Sequence, residues 1–140
     1  MTAQKKRGWL ITGVSSGLGR AIAEAALAAG DTVAGTVRNA ADKAAFAELA
    51  PGRAFGFILD VRDEASVGTT IEAVEKVLGG IDILVNNAGY GLIGAVEETS
   101  LAEIRALFDV NVFGAIAVLQ AAIPFMRARR AGHIINVTSV

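Results

Sequence analysis

The sequence predicts an α/β fold in which helices are wound on both faces of a parallel sheet. Short apolar runs alternate with longer helical patterns along the whole chain, which is typical of repeated strand–helix–strand units. The first apolar run also passes through a glycine-rich turn directly into a helical pattern, as in the first unit of a doubly wound sheet. With 140 residues, 53% of them hydrophobic, residues 1–140 are expected to form one domain with a real core.

The first predicted unit is a strand at residues 9–11, a turn containing Gly13, Gly17 and Gly19, and a helix. Small and apolar side chains recur at helical spacing after the turn, at Ala21, Ile22, Ala25, Ala26 and Ala29. A strand that runs straight into a helix directs unpaired backbone N–H groups and the positive end of the helix dipole at one point. An anionic phosphate fits there, and glycines let it approach the backbone. A tight loop that needs small residues only for packing is the alternative.

The remaining elements follow from apolar periodicity and from glycine and proline signals. Strands are predicted at residues 32–37, 55–59, 81–85 and 133–138, and helices at 40–49, 64–78 and from 101 to about 130. The last helix is expected to bend or break near Asn111. Its very apolar stretch at 110–126 contains Asn111, Gln120 and Pro124 and is short for a membrane span, so it predicts a buried helix.

Composition excludes several classes of function. The net charge of −1 gives no electrostatic footprint for nucleic acid or an anionic membrane. The chain has no cysteine, so disulfides, cysteine-ligated metals and thiol nucleophiles are excluded, and no metal site is predicted. Glycines and charges interrupt the apolar run that follows Lys5, Lys6 and Arg7, which argues against a secretory signal. A cytoplasmic location is the default expectation.

The glycine spacing of the first turn identifies a family. The run Thr12-Gly13-Val14-Ser15-Ser16-Gly17-Leu18-Gly19 has the spacing Gly-x-x-x-Gly-x-Gly, not the general Gly-x-Gly-x-x-Gly. It resembles the cofactor-binding signature of the short-chain dehydrogenases/reductases, which are NAD(P)-dependent oxidoreductases. The resemblance implies a Rossmann-like sheet with strand order 3-2-1-4-5. It also implies cofactor contacts at Gly13, Ser15, Ser16, Gly17, Leu18 and Gly19.

Two later segments resemble further motifs of this family. Asn86-Asn87-Ala88-Gly89 follows the fourth strand; the resemblance implies that Asn87 ties neighbouring strands together and that Ala88 and Gly89 let a cofactor sugar approach the backbone. Asp60-Val61 follows the third strand and looks like the family's adenine contact. For Asp60, an acidic residue at a helix N-terminus is the equally weighted alternative.

The residues after the second strand bear on cofactor choice. An acidic residue near this position, about 20 residues past the glycines, holds the ribose 2′-hydroxyl of NAD. This sequence has Arg38 followed by Asn39, and a guanidinium suits the 2′-phosphate of NADP. The sequence therefore favours NADP(H) and leaves NAD(H) open, with a solvated arginine as the structural alternative.

Two residues are candidates for the catalytic machinery by the same resemblance. Asn111, in Asn-Val-Phe-Gly, matches an asparagine that the family uses to distort a long helix and to hold a water in a proton relay. Ser139 matches the serine that orients the substrate carbonyl or hydroxyl by hydrogen bonding. A buried asparagine bonded to backbone is the alternative for Asn111. His133 is expected to be solvated.

The acid/base pair of the family, a tyrosine with a lysine four residues later, is not found in the 140 residues. The single tyrosine, Tyr90, has Gly94 four positions on, and Tyr90 as a replacement acid is the weaker alternative. Because the lysine lowers the pKa of the phenol, the chain alone is expected to bind cofactor weakly and to be inactive. The chain also ends at a predicted strand, so it looks like an N-terminal portion.

The function implied is hydride transfer between NADP(H) and a small carbonyl or alcohol, whose identity the sequence does not give. The alternatives are a non-catalytic dinucleotide-binding module and one chain of a two-chain enzyme. The resemblance implies a homo-oligomer for the full-length family. In this chain, association through the exposed edge of the last strand is also expected.

Overall fold

The computed structural model describes residues 4–139. The strands of this part are β1 (Gly8–Ile11), β2 (Thr32–Val37), β3 (Ala54–Ile58), β4 (Ile83–Asn86) and β5 (His133–Asn136). Its helices are α1 (Gly17–Ala28), α2 (Ala40–Ala47), α3 (Glu64–Leu78), α4 (Leu101–Phe108) and α5 (Ala115–Arg129), with a π-helical segment at Asp109–Gly114. The predicted alternation is confirmed, and the element ends differ by two residues or fewer.

The start of β4 shows why an end was misplaced. Ile81 is fully buried and apolar, as a strand residue should be, yet β4 begins two residues later. The N–H of Ile81 donates to the Glu75 carboxylate at 3.2 Å, so Ile81 belongs to the connection between α3 and β4. Apolar burial alone does not distinguish such a connection from a strand.

All five described strands are parallel and lie in the order β3-β2-β1-β4-β5. This is the predicted order 3-2-1-4-5. Leu10 of β1 stands opposite Ala34 of β2 and Leu84 of β4. Because the strands are parallel, the segments that follow them all emerge at one edge of the sheet, where ligands of such folds bind.

Helices cover both faces of the sheet. Side chains alternate along each strand, so Leu10 and Leu84 pack with α3 and α5 while Ile11 and Val85 pack with α1 and α2. The first group includes Val67, Ile71 and Val74 of α3 and Val118, Ala122 and Met126 of α5. The second includes Ala23, Ala26 and Leu27 of α1 and Phe46 of α2. The doubly wound arrangement is therefore confirmed.

In two helices, the buried side chains differ from those that the sequence predicts. Of the small residues noted in α1, Ala26 is buried, whereas Ala21, Ala25 and Ala29 are exposed. An alanine-rich helix has similar side chains on every side, so spacing does not decide its rotation. Residues 110–126 are only partly the buried helix that the sequence predicts. Gly114, Val118, Ala122 and Met126 are buried and several of their neighbours are half-buried, but the rest of the segment is exposed.

The opposite side of this helical run carries exposed apolar residues. Phe113 is 61% exposed and Ile116 43%. By length and composition alone, Leu101–Arg129 could cross a membrane; this is weak evidence, because core helices of soluble proteins pass the same test. Its buried stripe packs on α3 and the sheet, as a core helix does.

Candidate functional site

A cleft of about 640 Å³ lies at the carboxyl edge of the sheet. The turn after β1 and the segments after β2, β3 and β4 form its walls. Most of the predicted cofactor-binding residues line it: Gly13, Ser15, Ser16, Gly17, Leu18, Arg38, Asp60, Val61, Asn87, Ala88 and Gly89. The topology thus brings together segments that are far apart in sequence; beside the cleft, Ala88 N donates to Thr12 Oγ1, 76 positions earlier.

The N-terminus of α1 faces this cleft without a side-chain cap. Asn39, Asp63 and Ser100 each accept a hydrogen bond from the first turn of α2, α3 and α4. For α1, Ser16 occupies the cap position but makes no such bond, and no acidic residue lies in the first turn. In the described part of the chain, the first-turn N–H groups of α1 are therefore left to an anion from outside.

The glycines of the turn have different physical roles. A Cβ on Gly19 would lie 2.1 Å from the Gly13 carbonyl oxygen and 2.4 Å from Asn87 Nδ2, so Gly19 is required for packing. Gly17 has a φ of +60° and nothing within 4 Å of an added Cβ. Its open side leaves space in the cleft beside the first turn of α1.

Hydrogen bonds hold the turn after β1 against the end of β2 and the segment after β4. Asn87 Nδ2 donates to the carbonyl oxygens of Thr12 at 3.1 Å and Gly13 at 3.0 Å. Thr12 Oγ1 accepts from the N–H groups of Asn87 and Ala88, and Thr36 Oγ1 accepts from Gly13 N. Asn87 connects β1 with β4, as predicted, and the bonds leave the turn little freedom to collapse.

Three charged side chains line the cleft beyond β2 and β3. Arg62 donates from Nε to Asp60 Oδ1 at 2.9 Å and from Nη2 to Oδ2 at 2.6 Å. These hydrogen bonds, and the charge of Arg38 after them, lower the pKa of Asp60 from 3.8 to about 2. Arg38 is exposed and makes no hydrogen bond or ion pair to any residue between 4 and 139.

The alternative roles of Asp60 are now separated. The cap of α3 is Asp63, whose carboxylate accepts from Ser66 N at 3.2 Å. Asp60 does not cap the helix; it faces the cleft. An aspartate at either position looks the same in the sequence, because both precede the helix by a few residues.

Two predicted cofactor residues do not line the cleft. Gly19 lies behind the turn, in contact with Gly13 and Asn87. Asn39 caps α2: its Oδ1 accepts from Asp42 N at 2.8 Å and its Nδ2 donates to the Asp42 carboxylate at 2.7 Å. The side chain of Asn39 is therefore used locally, which a position after a strand and before a helix favours.

The predicted catalytic residues lie outside the cleft lining. Asn111 is in the π-helical segment, so the local distortion expected near it is present. Its Oδ1 accepts from Tyr90 N at 3.1 Å and its Nδ2 donates to Tyr90 O at 2.8 Å. Ser139 is exposed and lies three residues beyond the end of β5. His133 is exposed at the opposite end of β5, as expected.

Sequence reasoning missed five lining residues: Thr36, Val37, Leu59, Arg62 and Val110. Tyr90, named as the weaker replacement acid, also lines the cleft. Thr36 was detectable as a polar residue near the end of an apolar strand. Arg62 was detectable too, because it follows the proposed adenine contact by two residues and carries the opposite charge. Val110 was hidden, since only the fold brings the long helix to the cleft.

Comparisons with known proteins agree on one family. A family model described as short chain dehydrogenase matches residues 8–140. An oxidoreductase from Botryotinia fuckeliana, BOA17, is 38% identical over 133 residues, covering 94% of this chain and 48% of the relative. Retinol dehydrogenase 8 from Bos taurus is 40% identical and is covered over 46% of its length. The chain spans about half the length of the curated relatives it matches.

Solved structures show the same similarity. A short-chain dehydrogenase from Streptomyces avermitilis superposes with a TM-score of 0.92 at 44% identity, over 98% of this chain and 50% of that one. A metagenomic short-chain oxidoreductase in complex with NADP gives a TM-score of 0.87 at 33% identity, over 96% of this chain and 62% of that one.

Proposed function

The chain belongs to the short-chain dehydrogenase family, and from that premise we propose that residues 1–140 form the dinucleotide-binding unit of an NADP(H)-dependent oxidoreductase. Its substrate would be a small carbonyl compound or the corresponding alcohol. The observation that carries the proposal is the uncapped N-terminus of α1 facing a cleft that also contains Arg38, a cation without a hydrogen-bond partner in residues 4–139.

The residues of the cleft fit a dinucleotide. The first-turn N–H groups of α1 would bind the diphosphate, and the open side of Gly17 leaves room for it. Val61 and Asp60 would contact the adenine, and Ala88 and Gly89 a ribose. When bound, the nicotinamide supplies or accepts the hydride. Asn87 contributes by holding the turn after β1 in place.

Cofactor preference is the part of the proposal that depends on Arg38. A fork from its guanidinium to the 2′-phosphate is worth about 1.5–3 kcal/mol, or roughly ten- to hundredfold in affinity. The NADP complex of the metagenomic oxidoreductase supports this choice. In the intact protein, NADPH should bind more tightly than NADH, and Arg38→Gln should remove most of the difference. Equal affinities, or tighter NADH, would contradict the preference.

Ser139 would orient the substrate oxygen by a hydrogen bond, and Asn111 would hold the Tyr90 segment at the wall of the cleft. Both polar atoms of the Asn111 side-chain amide already bond to the backbone of Tyr90. The proton-relay role implied for Asn111 stays a proposal. No Tyr-x-x-x-Lys occurs in the 140 residues, so the chain alone should bind cofactor weakly and not turn over. Robust NADPH oxidation by the 140-residue chain over a panel of carbonyl compounds would contradict this.

Two alternatives share the same cleft. A dinucleotide-binding module, or one chain of a two-chain enzyme, would also have the cofactor residues here without a Tyr-x-x-x-Lys pair in these 140 residues. The sequence downstream of Val140 separates them. A Tyr-x-x-x-Lys in the same reading frame favours the single-chain oxidoreductase, a stop codon favours the module, and a co-purifying chain that carries the pair favours the two-chain enzyme.

We keep three further expectations as proposals. The partners are small molecules rather than nucleic acid or membrane, the location is cytoplasmic, and the full-length protein is a homo-oligomer. Each rests on composition or on the family resemblance.

A further inference from the structure

We propose that Arg62 determines cofactor specificity. Its guanidinium binds the carboxylate of Asp60 and so keeps that carboxylate from pairing with Arg38, which stays available for the 2′-phosphate of NADP(H). This inference rests on the proposed cofactor function and gives a role in it to Arg62, to which the proposed function assigns none. Arg62 would not need to touch the cofactor. It would act by compensating the negative charge of Asp60, which the 2′-phosphate would otherwise encounter.

The contact between Arg62 and Asp60 is a multiple one. Arg62 Nε lies 2.9 Å from Asp60 Oδ1 and 3.1 Å from Oδ2, Nη2 lies 2.6 Å from Oδ2, and the N–H of Arg62 donates to Oδ1 at 3.0 Å. Both carboxylate oxygens are therefore engaged by one residue. A fork of this kind fixes the carboxylate in one orientation and compensates its charge.

Asp60 is the acidic residue that needs compensation. Among the described residues, it is the only acidic side chain that lines the cleft, and Arg38 lines the same cleft. The charge of Arg38 acts on Asp60 in the present structure. Without Arg62, Asp60 would either pair with Arg38 or stand as a free carboxylate near the phosphate site.

Both consequences affect the two cofactors differently. A free carboxylate repels the 2′-phosphate of NADPH, whereas the 2′-hydroxyl of NADH carries no charge to be repelled. An Arg38 captured by Asp60 loses its bond to the phosphate, and NADH has no phosphate there to lose. Loss of Arg62 should therefore weaken NADPH binding and leave NADH binding unchanged.

The ion pair between Arg62 and Asp60 contributes little to the stability of the fold. The Arg62 side chain is 53% exposed and that of Asp60 40%, and exposed pairs contribute about 0–1 kcal/mol to stability. The turn before α3 also has its own backbone bond, from Asp63 N to Asp60 O at 3.0 Å. Its geometry does not depend on the guanidinium.

The test compares Arg62→Gln with Arg127→Gln in the intact protein, by fluorescence titration with NADPH and with NADH. Arg127 is exposed at the end of α5, at the opposite edge of the sheet, so its variant makes the same charge change far from the cleft. Arg62→Gln should lower the ratio of NADPH to NADH affinity by about five- to tenfold. Arg127→Gln should leave the ratio unchanged.

A second background separates the capture of Arg38 from general loss of positive charge. In Asp60→Asn there is no carboxylate to compensate, so adding Arg62→Gln should change the ratio by less than about twofold. Arg62→Lys keeps the charge without the fork and should fall between wild type and Arg62→Gln. It also serves if Arg62→Gln fails to fold.

The outcomes are distinct. A wild-type protein that prefers NADH or binds neither cofactor refutes the proposed function itself. A wild type that prefers NADPH, with an unchanged ratio in Arg62→Gln or an equal loss for both cofactors, refutes the inference alone. An equally large effect of Arg62→Gln in the Asp60→Asn background also refutes it, because the effect then does not pass through Asp60.

Discussion

Gly19 shows how a single missing Cβ determines whether the turn after β1 can form. In Gly19→Ala the new methyl would lie 2.1 Å from the Gly13 carbonyl oxygen and 2.4 Å from Asn87 Nδ2. We expect a loss of about 1–3 kcal/mol in the free energy of unfolding, together with loss of NADPH binding. Urea denaturation and fluorescence titration would measure both.

The matched control is Gly68→Ala, in the interior of α3. Nothing lies within 4 Å of a Cβ there, so alanine should stabilise the protein by about 0.5–1 kcal/mol through helix propensity. If Gly19→Ala were as stable as Gly68→Ala and still bound NADPH, the packing role assigned to Gly19 would be wrong.

The titration of Asp60 is a second prediction for a single residue. The Arg62 hydrogen bonds, and then the charge of Arg38, lower its pKa in the folded protein from 3.8 to about 2. A lowered carboxyl pKa gives stability that is present above the unfolded value, so the contribution is complete above about pH 5 and disappears between pH 4 and 2. The difference in urea midpoint between wild type and Asp60→Asn should therefore shrink in that range.

Carbon-13 NMR of the Asp60 carboxyl group measures the same shift directly. In Arg62→Gln the midpoint should move upward from about 2 towards 3.8, because the main hydrogen-bond donor is gone. A wild-type midpoint near 3.8 would show that the fork does not form in solution.

Sequence patterns predicted the lining of the cleft best at positions where a residue type has a single structural role, and less well where the same residue type can serve two roles. Gly13 and Gly17, named from the glycine spacing of the turn after β1, and Asn87, named from the family motif after the fourth strand, all line the cleft. Asn39 lies outside the lining of the cleft because its side chain caps α2, a role that an asparagine between a strand and a helix often takes. Arg62 was missed because its role comes from its distance to Asp60, which spacing along the chain does not give.

At the scale of elements, the long helix between β4 and β5 is interrupted at a place where it holds a neighbouring segment. The π-helical residues Asp109–Gly114 place Asn111 against the backbone of Tyr90. A Cβ on Gly114 would lie 2.5 Å from Val61 Cγ2, so the segment also packs closely against the residue after Asp60. The sequence predicts a bend near Asn111. It does not predict the π-helical form of the bend, which depends on these contacts between distant segments.

Asn111→Ala should release the Tyr90 segment. Both hydrogen bonds to the Tyr90 backbone are lost, at a cost of about 1 kcal/mol in the free energy of unfolding, and the Tyr90 amide should exchange with solvent faster. Gln120→Ala is the control, since Gln120 is exposed on α5 and makes no side-chain hydrogen bond within residues 4–139. Unchanged exchange at Tyr90 would contradict the anchoring role; hydrogen exchange by NMR measures it.

On the scale of the whole molecule, the two halves of the sheet differ in how well they are covered. β1 and β2 have helices on both faces: Leu10 and Ala34 pack with α3 and α5, and Ile11 and Val33 pack with α1 and with Phe46 of α2. β5 pairs with β4 alone in the described part of the chain, and most of its residues are exposed. The lining of the cleft comes from the end of β2, from the segments that follow β1, β2, β3 and β4, and from Val110; among the described residues, none of β5 lines it.

The exposed side leads to a prediction for the 140-residue chain on its own. Ile135 of β5 is 37% exposed, and the unpaired edge of β5 offers backbone groups to another strand. We expect the average mass from light scattering to rise with concentration, and Ile135→Lys to suppress the rise, because a charge on an edge strand opposes pairing. Val96→Lys is the control, since Val96 is 85% exposed but lies in the segment before α4. If Val96→Lys suppressed association as strongly, general surface hydrophobicity and not β5 would be the cause; a constant monomer mass at every concentration would show that the β5 edge does not associate at all.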